Sequence, residues 1–355
     1  MSEPLRVGLI GYGTAGEFFH APLIATTPGM VLDTVVTGNE ERRRRILAAH
    51  PGARVVPEAE RLWDSDGPVD LVVVAAPNRA HVPLARAALE AGRPVVVDKP
   101  IAPTAAEAAE LDALARERGL LLNVFQNRRW DGDFRTLRDL AGSGELGEVR
   151  RFESRFERWR PAPKPGWREQ GDPAQAGGVL YDLGSHLVDQ ALVLLGPAAA
   201  VYAERDHRRP GVKTDDDVFI ALHHENGARS HLWASAVAGQ LGPRFRVLGS
   251  ESAYVKHRMD PQEAELRAGG RPGGPGWGAE PRDRWGLLGA GDDVKPVETL
   301  PGDYPAFYRG VARALREGGP GPVPAADAVR VMEVLDAARE SAAAGTVVTL
   351  AGGAG

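Results

Sequence analysis

The sequence predicts an α/β protein in two parts. A doubly wound parallel sheet of the Rossmann type spans residues 1–125, and an α+β domain built on a mainly antiparallel open sheet spans residues 126–355. Three observations carry this expectation. The 355 residues exceed one ordinary domain. Short apolar runs alternate with helical stretches as far as about residue 125. Beyond about residue 127, strand-like segments follow one another with few helices between them.

The first apolar run, 7–10, breaks into Gly11-Tyr12-Gly13-Thr14-Ala15-Gly16 and leads into a helix-like stretch over 17–24. Gly-x-Gly-x-x-Gly between strand and helix is the entry to a dinucleotide site. Gly11 permits the tight turn, Gly13 lets backbone amides approach a pyrophosphate, and Gly16 lets the helix pack on its strand, with the helix N-terminus facing the phosphates. In a chain with 43 glycines the spacing alone is weak, and its strand-to-helix context is what raises it.

Further strands are expected at 31–37, 69–75, 95–97 and 120–125, with helices at 42–50, 81–91 and 105–118 stopped by Gly92 and Gly119. The ligand crevice then lies at the carboxyl ends of the strands. The second strand ends in Thr37-Gly38-Asn39 with no carboxylate for a ribose 2′-hydroxyl, and Asp33 stands too early. An arginine run, 42–45, follows, so Thr37, Asn39 and Arg42 or Arg43 favour a 2′-phosphate and hence NADP over NAD, with dual use open. The next strand end delivers Ala76-Pro77-Asn78 and His81. Asn78 either caps the following helix or meets the nicotinamide ribose, and His81 packs the helix start or meets the cofactor. Val97-Asp98-Lys99-Pro100 places a lysine after a buried run, with a proline fixing the backbone behind it.

In the second part, a helix is expected at 134–141 and a strand of period two at 148–159. More strands are expected at 199–205, 218–223, 229–236, 245–248 and 253–257, with a long helix over 184–195. Residues 269–302, rich in Gly and Pro, read as a lid, an intersubunit arm or a mobile segment. Helices at 304–316 and 325–344 and a strand at 347–350 close the chain. Phe152, Phe156 and Trp233 imply that the sheet face turned away from the helices is not wholly solvated.

Asp182 and His186, four residues apart at a helix start, share a face and form a pair suited to proton transfer; a helix cap and a core histidine are the alternative reading. The run Gln126-Asn127-Arg128 and the Trp/Arg cluster of Trp159, Arg160, Trp167 and Arg168 are candidates either for sugar contacts or for domain packing. Convergence of Arg128, Arg160 and Arg168 would favour a sugar acid. Asp131 and Asp133 read as caps, Asp215-Asp216-Asp217 as a solvated turn and Asp189 as structural. His223 and His224 point to opposite faces, so with His231 they build no metal site.

Composition narrows the function classes. A net charge of −5 offers no basic footprint for nucleic acid and no polybasic membrane anchor. Without cysteine there is no disulfide, thiol nucleophile or cysteine zinc site. No leader-like pattern lies in the first eight residues and no apolar stretch has membrane length, which predicts a cytoplasmic protein.

The glycine loop, Ala76-Pro77-Asn78, Lys99-Pro100 and the segment from Gly178 to Asp189 occur in an order and spacing that resembles the Gfo/Idh/MocA oxidoreductases over nearly the whole chain. The resemblance implies a nicotinamide cofactor and hydride transfer at a carbinol carbon of a sugar, sugar acid or inositol. It implies a catalytic group of Lys99, Asp182 and His186, with His186 taking the hydroxyl proton, Lys99 stabilising the alkoxide and Asp182 orienting hydroxyl and imidazole. It also implies cofactor contacts at the strand ends, including Asp98 and Lys99, and substrate contacts around Asn127, Arg128 and Trp167. A homodimer or homotetramer formed through the open sheet completes it. Asp98 departs from the family's glutamate. An NAD-dependent glycosidase-type hydrolase and a non-catalytic sensor are the alternatives, and the intact Lys99, Asp182 and His186 weigh against both.

Overall fold

Val7, Leu9 and the apolar runs after them are buried because helices cover the first sheet on both faces. The computed structural model describes residues 3–63, 69–171 and 176–350. Its first sheet contains β1 (Leu5–Ile10), β2 (Met30–Val36), β3 (Arg54–Val56), β4 (Leu71–Val74), β5 (Val95–Asp98) and β6 (Leu122–Phe125). All pairs are parallel, in the order β3-β2-β1-β4-β5-β6. The order reverses between β1 and β4, so the crevice opens beyond Ile10 and Val74. Every residue of β4 is fully buried, and each such valine contributes on the order of 1.5 kcal/mol from apolar area. At three residues, the edge strand β3 is too short for periodicity to reveal.

Helices connect the strands. The first begins as a π-turn over Gly16–His20 and continues as α1 (Ala21–Thr26); α2 (Glu40–Ala49), α3 (His81–Glu90) and α4 (Ala105–Glu117) follow. Next come α5 (Gly132–Gly142), β7 (Val149–Glu157), the short α6 (Trp167–Gln170), and a π-turn over Leu180–Gly184 that runs into α7 (Ser185–Leu195).

The second sheet adds β8 (Ala198–Asp206), β9 (Asp217–His224), β10 (Arg229–Ser235), β11 (Phe245–Gly249) and β12 (Ala253–Lys256). After α8 (Gln262–Arg267) come β13 (Gly286–Ala290), β14 (Asp293–Val297), α9 (Pro305–Glu317), α10 (Ala325–Ala344) and β15 (Val348–Thr349). The order is β14-β13-β12-β11-β7-β10-β9-β8-β15, antiparallel except where β7 meets β10. Both α7 and α10 pack on this sheet, and α10 also reaches α4, where Asp336 accepts from the Ala105 amide at 2.8 Å.

Two expectations need correction. Residues 269–302 are not a free lid, because β13 and β14 extend the sheet edge and the segment is anchored from below. The fully buried Lys256 ammonium pairs with Glu280 at 2.8 Å, and the Trp277 indole donates to Gln262 at 2.9 Å. Phe152 and Phe156 belong to the covered face and are buried, whereas Trp233 lies on the opposite one, beside Phe219 and under the Arg155 guanidinium at 3.9 Å. Among the described residues, no helix is long and apolar enough to cross a membrane.

Candidate active site

The loop after β1 is shaped by its glycines. Gly11 has φ +97°, and a Cβ there would stand 2.5 Å from the Ala75 carbonyl oxygen; a Cβ at Gly16 would overlap the Gly11 carbonyl. Above Gly13 nothing lies within 4 Å of a Cβ position, so the backbone is bare toward the crevice. The helix starts there, with the Glu17 amide donating to the Gly13 carbonyl at 2.8 Å. A bare loop opening onto a helix N-terminus fits the pyrophosphate of a dinucleotide. Thr14 and Ala15 line the cavity below, while the Tyr12 side chain is buried away from it, and burial raises its hydroxyl to about 12.

At the end of β2, the Asn39 side chain caps α2 by accepting from the Arg42 amide at 2.9 Å, and Thr37 Oγ1 accepts from the Asn39 amide at 3.3 Å. Asp33 is held by Arg6 and Arg54 at 3.0 and 3.2 Å, leaving no carboxylate at this strand end. Two expectations at β4 are corrected. Asn78 caps no helix; its carboxamide donates to the Ala176 carbonyl at 2.9 Å, tying the strand end to the loop before α7. His81 is buried, its ring nitrogens 2.7 Å from the Pro100 carbonyl and 2.9 Å from that of Ala76. Burial favours the neutral ring, which donates to one of the two carbonyls, and both nitrogens face protein rather than a cofactor.

Asp98 Oδ1 accepts from the Lys99 amide at 2.8 Å and lies 3.9 Å from His20. Lys99 follows, and a cis peptide joins it to Pro100. Its ammonium donates to the Asp182 carbonyl at 2.6 Å and to Asp182 Oδ1 at 3.1 Å. Burial alone would raise the Asp182 carboxyl, but Lys99, Arg168 and Arg158 outweigh it and hold it well below the usual carboxylate range. His186 stands on the first turn of α7, facing the same cavity. Burial, then Lys99 and Arg128, hold its imidazole far below the ordinary histidine value against the pull of Asp182, so it is neutral at pH 7.

The expectation that Asp182 orients the imidazole is corrected. Asp182 is committed to Lys99, and the ring is held instead by Gln126, whose Oε1 lies 3.2 Å from Nδ1. With Nδ1 donating to that oxygen, Nε2 is left as the proton acceptor.

These groups line one cavity of about 700 Å³. Asn127 and Arg128 reach it from the turn after β6, Arg160 from the segment after β7 and Arg168 from the short α6; the Trp167 side chain lies outside the described part of the structure. Arg128 is not a free cation. Buried, it donates to Tyr304 at 2.9 Å and pairs with Glu263 of α8, with Asp131 at 3.6 Å behind it. Asp131 is therefore a buried partner rather than a side-chain cap, and it accepts from Tyr304 at 2.7 Å. Asp133 is also buried, its Oδ1 accepting from the adjacent Phe134 amide. Asp215 and Asp216 are likewise buried, not solvated. Asp215 accepts from the Leu180 amide at 2.7 Å at the start of the π-turn, and Asp216 binds Arg209 at 2.9 Å. Asp189 is structural as expected, paired with Arg129 at 2.6 Å.

Gln126 was read as part of a candidate substrate run rather than as the partner of His186, Asp215 as solvated, and Glu263 was not singled out, since their partners lie far along the chain. Arg158 also lines the cavity, and its parity with Phe156 on β7 was the available signal.

Comparison with known proteins agrees with this architecture. Residues 5–126 match the oxidoreductase family's NAD-binding Rossmann fold, and residues 138–350 match that family's C-terminal alpha/beta domain. The chain belongs to the Gfo/Idh/MocA oxidoreductase family. It is 44% identical over 346 residues to the uncharacterized oxidoreductase YdgJ of Escherichia coli, covering 96% of this chain and 97% of that one. It is 36% identical over 344 residues to the scyllo-inositol 2-dehydrogenase (NADP(+)) IolW of Bacillus subtilis, covering 96% and 94%. Among solved structures, the YPO2259 putative oxidoreductase of Yersinia pestis superimposes with a TM-score of 0.91 at 40% identity, covering 99% and 98%.

Proposed function

We propose that residues 1–125 bind NADP in preference to NAD, and that residues 126–355 present a secondary hydroxyl or ketone of a sugar, sugar acid or inositol to it. The observation that carries this reading is the contact between Lys99, at a strand end beside the glycine loop, and Asp182, one turn before His186 in the same cavity. A bound nicotinamide accepts or supplies the hydride. Neutral His186 takes the hydroxyl proton on Nε2 while its Nδ1–H stays on Gln126. Lys99, held by Asp182, places its positive charge where the alkoxide develops. In reduction, the same groups return the proton.

The absence of a carboxylate at the end of β2, with Arg42 beside it, supports NADP, as does the NADP(+) dependence of the relative IolW. Phe219 and Trp233 on the outer sheet face support a homodimer or homotetramer formed there; a monomer mass by light scattering at micromolar concentration would remove that part.

A panel of sugars, sugar acids and inositols, followed by nicotinamide absorbance with both cofactors, tests the function. His186→Ala is expected to lower turnover by about 10²–10⁴-fold with cofactor affinity unchanged. Unchanged turnover would refute the assignment.

A further inference from the structure

The wall of the cavity formed just beyond the end of β7 carries two guanidiniums, Arg158 and Arg160, that form no ion pair among the described residues. The geometry points to a subsite for an anionic substituent of the substrate, a carboxylate or a phosphate ester, held by Arg158 and Arg160; this rests on the cavity being the oxidoreductase site proposed above. Ser154, Phe156 and Arg158 share one face of the strand by parity, and the Phe156 ring lies 6.0 Å from the His186 ring. Two residues further on, about 7 Å along an extended chain, Arg158 lines the same cavity as His186.

The backbone there is held against residues 235–238. The Arg158 amide donates to Ser235 at 2.8 Å, the Arg158 carbonyl accepts from Ala238 at 3.1 Å, and the Arg160 amide donates to Ala236 at 2.8 Å. Trp159, between them, turns outward and is 60% exposed. The guanidiniums are thus carried on an extension of the sheet rather than on a free loop.

The nearby carboxylates are already engaged: Asp182 by Lys99, Glu263 by Arg128 and Arg267, and Glu169 by Arg209. Among the described residues neither Arg158 nor Arg160 has an ion pair. Burial pushes the Arg158 guanidinium below its ordinary value, with Asp182 and Glu263 pulling it up and Arg160 and Arg128 pushing it down. A neutral polyol would leave that charge uncompensated, whereas a carboxylate or phosphate accepts the planar fork of a guanidinium.

The test is calorimetric binding of D-glucuronate, D-glucose 6-phosphate and myo-inositol to the NADP-loaded protein. At least one anionic probe is expected to bind about tenfold or more tightly than inositol, and the better of the two tells carboxylate from phosphate. Arg158→Gln should erase that preference, Arg158→Lys should keep part of it, and Arg160→Gln should weaken it. Absence of any anionic preference, or a preference unchanged in both glutamine variants, overturns the subsite. Nicotinamide absorbance in the same samples separates the two ideas. Turnover of neutral polyols that is indifferent to Arg158 removes the subsite and leaves the oxidoreductase. Anion binding lost in Arg158→Gln, with no nicotinamide reduction by any substrate of the wider panel, keeps the subsite and removes the oxidoreductase reading.

Discussion

The two walls of the cavity are made of different material. On the side of the first sheet, the part that meets the dinucleotide phosphates is backbone, a bare loop at Gly13, a turn that favours glycine at Gly11 and a helix start, with Asp98 and Lys99 as the charged side chains beside it. On the side of the second sheet it is charged side chains, some held by others further back, as Arg128 is by Glu263, Asp131 and Tyr304, and some, Arg158 and Arg160, without an ion pair among the described residues. A backbone wall recognises what is common to all dinucleotides. A side-chain wall can change its specificity by changing a few residues, but the buried charges behind it tie that specificity to stability.

The largest effect should therefore come from the second wall. Arg128→Ala leaves the buried Asp131 without its cation and Glu263 with Arg267 alone, and is expected to cost about 3–5 kcal/mol in denaturant unfolding. A loss near zero would mean that the wall is not supported from behind. Next come the glycines. Gly11→Ala forces φ +97° on a Cβ that meets Ala75, and should cost about 1–3 kcal/mol of stability as well as cofactor binding. Gly13→Ala places its methyl in open space, so stability should hold within about 0.5 kcal/mol while dinucleotide affinity falls. If Gly13→Ala binds NADP normally by fluorescence titration, the bare loop is not the phosphate seat.

The same contrast explains what could be read in the sequence. The backbone wall is written in contiguous residues, because a turn at Gly11 and a close approach at Gly16 are demands on the residues themselves. Lys99 was visible at its strand end, and the four-residue spacing of Asp182 and His186 was visible as a helical pair. Their partners were not. Gln126 reaches His186 across 60 positions and Asp215 reaches the Leu180 amide across 35, so neither leaves a local pattern. The aspartate run 215–217 resembled a solvated turn because the Leu180 amide lies 35 positions away and the Arg209 guanidinium, seven positions before Asp216, shares no regular spacing with it. The β13–β14 hairpin hid in a stretch rich in Gly and Pro for a related reason: Pro296 is tolerated there because β14 is an edge strand.

Smaller effects probe where the walls meet. Arg42→Ala should raise the KM for NADP about tenfold, ~1.4 kcal/mol, and leave that for NAD unchanged; equal changes would deny a phosphate contact at the end of β2.

The finest test concerns charge rather than contact. His186 is neutral because burial, Lys99 and Arg128 oppose its proton, whereas in the unfolded chain an imidazole protonates near pH 6.5. The unfolded state therefore binds the extra proton first as pH falls below about 6.5, and the folded state loses stability over that range. Lys99→Met removes one opposing cation and leaves the Asp182 carboxylate without its ammonium partner, so both changes favour imidazolium. The His186 ring resonance should consequently titrate at higher pH in Lys99→Met than in the unaltered protein, by NMR and without any turnover. A titration that stays in place or moves down would show that burial and the other cations keep His186 neutral without Lys99, and the link between the strand-end lysine and the helix-borne imidazole would be lost.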